Sequence, residues 1–94
     1  MAEDEVTEQE LVDALRQLKV SDLLVQTLST VSSLAYHRLA EEQRDLEQAR
    51  LAIEALRALV PVLAGAVPPE LIRDFEQVIA NLQLAYASAV QPAP

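Results

Sequence analysis

From Leu46 to Leu63, apolar residues recur at steps of 3, 4, 3, 4 and 3: Leu46, Ala49, Ile53, Leu56, Val60 and Leu63. This is the a/d seam of a helix that packs lengthwise against other helices. A strand alternates every second residue and cannot carry this period. Glu47, Arg50, Glu54 and Arg57 form a second stripe, polar and of alternating sign. Spacings of three and four suit surface ion pairs, each worth about 0.2–0.5 kcal/mol. A third stripe, Leu51, Ala55, Ala58 and Val62, is apolar again and lies well away from the seam. A helix with two apolar faces needs cover on two sides.

The flanking segments supply helices to provide it. Pro61 removes a backbone hydrogen bond and presses on the carbonyl of Arg57. The helix therefore either kinks there or stops near Leu59, and Gly65 offers the left-handed position beyond its end. Pro68-Pro69-Glu70 starts the next helix. Its core face is Leu71, Phe75, Val78, Leu82, Ala85 and Ala89, with Ile72, Ile79 and Tyr86 as a flanking column. Upstream, Leu24, Leu28, Val31 and Ala35 mark one helical face, widened by Leu23, Val25, Leu34 and Leu39. Ser21 and Asp22 offer the N-cap of this helix. Thr7-Glu8-Gln9-Glu10 is a capping box, followed by Leu11, Val12, Leu15 and Leu18. Lys19-Val20 contains no breaker, so the first two helices are either separate or continuous.

The expected fold is all-α. An antiparallel bundle of three main helices, over about 22–41, 46–64 and 69–89, follows a short N-terminal helix over about 8–18. Residues 1–6 read as a flexible acidic leader, 7–90 as one domain and 91–94 as a flexible tail.

Ninety-four residues fit one domain, which buries only about 60–65% of the surface its unfolded chain exposes. Association is a common remedy for so narrow a stability margin. The net charge is −8, of which −5 falls in the first ten residues. Phosphate backbones and anionic lipid repel such a chain, so nucleic acid and membrane surfaces are poor partners. The charge-free runs Leu23–His37 and Ala58–Pro69 are shorter than the roughly 18 apolar residues a spanning helix needs. The acidic N-terminus has no apolar run of the signal-peptide kind. With no cysteine, disulfides and thiolate metal sites are excluded, and a cytoplasmic location is expected.

The segment SSLAYHRLAEEQ, Ser32 to Gln43, holds the only histidine and one of two tyrosines. On a continuous helix His37, Glu41 and Asp45 would share a face, and such a trio is the one candidate for a divalent metal. A bundle di-iron site needs Glu-x-x-His motifs and inward acids, which the seams here lack. Ser33 lies within reach of His37, but a single glycine in the chain leaves no oxyanion hole or phosphate loop to assemble. The expectation is no catalytic residue, no metal and no cofactor. His37 reads as a solvated cation near a helix C-terminus. Tyr36 and Tyr86 end the same tripeptide, Leu-Ala-Tyr, and both read as anchors at a bundle end.

DLEQARLAIEALRAL at residues 45–59, Gly65, PE at 69–70 and LQLAY at 82–86 together resemble a widespread bacterial family of small helical proteins. That family is known only as a domain of unknown function. The resemblance covers residues 45–88 and implies an all-α fold and no activity. Val60-Pro61-Val62 departs from the family's polar residues before the turn.

The function expected is that of a non-enzymatic interaction module forming a homo-oligomer, first of all a dimer, with an unknown protein as a possible further partner. Leu51, Ala55, Ala58 and Val62, with the Ile72/Ile79 column, are the expected interface. Alternatives are a bundle that binds an apolar small ligand between its helices and a metal- or His-dependent enzyme.

Overall fold

A computed structural model describes residues 7–90; the expected leader and tail lie outside them. Four α-helices follow one another: α1 Glu8–Gln17, α2 Val20–Leu39, α3 Leu46–Leu59 and α4 Pro69–Val90. No strand occurs among the described residues. The all-α architecture and the short N-terminal helix are those read from the sequence.

α2, α3 and α4 pack on one another in all three pairings. Short connections at 40–45 and 64–68 make neighbours antiparallel. Leu28, Ala35 and Leu39 from α2, the whole α3 seam from Ala49 to Leu63, and Phe75 and Leu82 from α4 form the buried core. The one buried polar side chain among the described residues, Ser32, donates from Oγ to the Leu28 carbonyl at 2.8 Å. It therefore enters the core without an unmade hydrogen bond.

Local chemistry explains the helix ends. Thr7 Oγ1 accepts from the Glu10 amide at 3.1 Å and starts α1. Asp45 does the same for α3, accepting from the Gln48 amide at 3.2 Å. α2 starts at Val20 rather than at 22, with Lys19 as an N-cap that makes no side-chain bond. Asp22 instead sits in the first turn, where a carboxylate suits the helix dipole. Leu18 and Lys19 are extended, so α1 and α2 are separate helices.

Pro61 ends α3 rather than kinking it. The α-helix stops at Leu59 and a 3₁₀ turn, Val60–Leu63, follows. That turn keeps Val60 and Leu63 in the core, so the seam continues past the proline. Gly65 then takes φ +86°, which reverses the chain toward α4.

α1 has no buried residue and packs against none of the other helices. The radius of gyration is 17.1 Å, against about 12 Å for a compact chain of this length. The longest dimension is 59 Å, whereas a 22-residue helix such as α4 spans about 33 Å. α1 is an arm that projects from the bundle.

Candidate functional site

The three stripes of α3 meet three environments. The seam is buried against α2 and α4. The polar stripe faces solvent, where Arg50 Nε and Glu54 Oε1 pair at 3.3 Å. An exposed pair of this kind contributes a few tenths of a kcal/mol. The second apolar stripe faces solvent as well. Leu51 is 59% exposed and Val62 is 65% exposed; Ala58 is exposed and Ala55 half-buried. Leu59, next to this stripe, is also exposed.

The upper half of the stripe is one wall of an open groove of about 270 Å³. Leu51, Ala52 and Ala55 of α3 face Val31, Leu34 and Arg38 of α2 across it. Leu34 is exposed by nearly half, so the groove has apolar surface on both sides. Arg38 is its only charged lining residue. The volume falls just below the usual range of small-molecule pockets, about 300–1,000 Å³.

Ile72 and Ile79 line a different groove, between α3 and α4, together with Val60, Pro61 and Ala64. Both isoleucines are half-buried against the core. Leu51 and Ala55 are thus brought together with α2, while the Ile72/Ile79 column lies across α3 from them.

His37, Glu41 and Asp45 do not share a helical face. α2 ends at Leu39, Ala40 is extended, Glu41 lies in a 3₁₀ turn and Asp45 caps α3. The connection is held by the Asp45 amide, which donates to the Arg38 carbonyl at 2.8 Å. The Arg44 guanidinium also donates to the Leu39 carbonyl, at 3.2 Å from Nη2. Among the described residues, no group of three His, Cys, Asp or Glu side chains converges on a point that a metal ion could occupy. The two tyrosines differ as well. Tyr86 packs on the core, whereas Tyr36 is 43% exposed on the outer face of α2.

The largest feature that spacing alone does not reveal is α1. Leu11, Val12, Leu15 and Leu18 form its apolar face, and all four are exposed. Their helical spacing is legible in the sequence; their exposure, with no other described residue covering them, is not. No described helix is long and apolar enough to cross a membrane. No family model matches the chain, and no curated protein or solved structure matches it either.

Proposed function

We propose that this chain is a non-enzymatic interaction module that assembles with copies of itself, first as a dimer. One observation carries the reading: the second apolar stripe of α3 stays in solvent after the bundle has closed. Leu51, Ala55 and Ala58 lie along α3 and Val62 extends the stripe into the 3₁₀ turn beyond it, and the alanines in the middle let another backbone approach closely. Contiguous apolar surface of this kind marks an interaction site. Ile72 and Ile79 contribute to the core packing of α4 instead. The residues that resemble the small helical bacterial family, 45–88, include this stripe, and membership of that family is part of the same proposal, as is the cytoplasmic location expected from the composition. Light scattering on the wild type and on Ala58→Glu tests the reading. The wild type gives a dimer mass at micromolar concentration and the variant a monomer mass. A wild type that stays monomeric overturns it, and a variant that assembles like the wild type overturns the assignment of this face.

A further inference from the structure

We infer that α1 is an exchange arm: in the dimer it lies in the α2–α3 groove of the second copy. The inference rests on the proposed self-assembly and names how it is made.

Leu11 and Leu15 are anchors at i and i+4, with Val12 beside them, the spacing with which an amphipathic helix seats in an apolar groove. The groove is long enough to take them. Its α2 wall runs from Val31 to Arg38 and its α3 wall from Gln48 to Ala55. Each wall is eight residues long, about 10 Å of helix, which the 10 residues of α1 can span.

The arm cannot fill its own groove. α1 has 10 residues, a length of about 15 Å. Folded back from its hinge at Leu18–Lys19, it reaches along α2 to about Thr30. Leu34 and Arg38 lie beyond that point, toward the far end of the bundle. A second copy placed antiparallel has the opposite geometry. A two-fold axis across the helices sets the hinge end of one copy beside the groove end of the other. The same operation seats both arms.

Charge fits the same occupant. Glu8, Glu10 and Asp13 make the arm acidic against the single Arg16. The groove carries Arg38, which has no carboxylate partner among the described residues, and no acid. Reciprocal exchange covers two arm faces and two grooves at once, where a single arm in a single groove covers one of each. Contact between the two bodies along Ala58, Leu59 and Val62 adds to that.

Two double variants of the full chain test the inference: Leu11→Glu with Leu15→Glu in the arm, and Leu34→Glu with Leu51→Glu in the groove. All four positions are exposed, and a cooperative thermal unfolding transition matching the wild type's at concentrations below assembly shows that the bundle still folds. Sedimentation is expected to show a dimer for the wild type and a dissociation constant raised about a hundredfold or more in each variant. A wild-type monomer would overturn self-assembly itself. A wild-type dimer whose arm variant dimerises with undiminished affinity overturns the exchange arm and leaves self-assembly standing. An arm variant that dissociates while the groove variant does not also overturns it, because the arm then docks elsewhere.

Discussion

Leu51 and Leu56 are five positions apart on one helix, and their neighbours give them opposite roles. Leu56 is fully buried at the centre of the seam, within the core that all three bundle helices share. Truncation there leaves a cavity that the bundle relaxes around only in part. Leu56→Ala is expected to lose about 2–5 kcal/mol of folding stability in urea unfolding. Leu51→Ala, measured below the assembly concentration, is expected to lose less than about 0.5 kcal/mol. Equal losses would mean that the second stripe is covered within a single chain. Ser32 is a third case. Its hydroxyl bonds a carbonyl of its own helix, so Ser32→Ala removes one intrahelical donor and leaves no orphaned polar side chain. The expected cost is at most about 1 kcal/mol, read from the same unfolding curves.

The helix ends separate what was legible in the sequence from what was not. The seam of α3, the cap at Thr7, the role of Gly65 and the start at Pro69 are local signals, and the structure uses each of them. At Gly65 the positive φ is the whole constraint, because a Cβ there would meet no atom within 4 Å. Gly65→Ala is therefore expected to cost about 1–2 kcal/mol, with Gly65→Asn costing less, in thermal unfolding. A neutral Gly65→Ala would show that the connection adopts another conformation. Periodicity, by contrast, says which residues share a face but not what covers that face. Leu23 and Leu34 continue the apolar side of α2 and yet are exposed. Tyr36 and Tyr86 share a tripeptide and differ in setting: Tyr86 packs on the core, while Tyr36 stays 43% exposed on α2. Ile72 and Ile79 sit in a groove apart from Leu51 because the hand of the bundle decides which faces adjoin. That hand is a property of three helices together. α1 shows the same limit most plainly. Ten residues form a marginal helix in water unless something packs on them. Hydrogen exchange of its amides is expected to slow as protein concentration rises through the assembly range, while bundle amides stay protected throughout. Protection of α1 that is independent of concentration would point to cover from its own chain.

Taken as one body, the bundle accounts for its core and leaves two apolar surfaces in water, the α1 face and the α2–α3 groove with the stripe below it. Each is modest, and together they are large for a chain of 94 residues with so narrow a stability margin. Under the proposed self-assembly a second copy would cover both at once, and the copies would then stabilise one another by mass action. Folding stability should accordingly rise with protein concentration, seen as a higher midpoint of thermal unfolding across a hundredfold dilution series. A midpoint that does not move would place the unfolding equilibrium in the single chain. The most direct measurement is the molar mass in solution, by light scattering across the micromolar range. Self-assembly predicts a mass approaching twice the 10.3 kDa of one chain as concentration rises. A mass of 10.3 kDa at every concentration would contradict it.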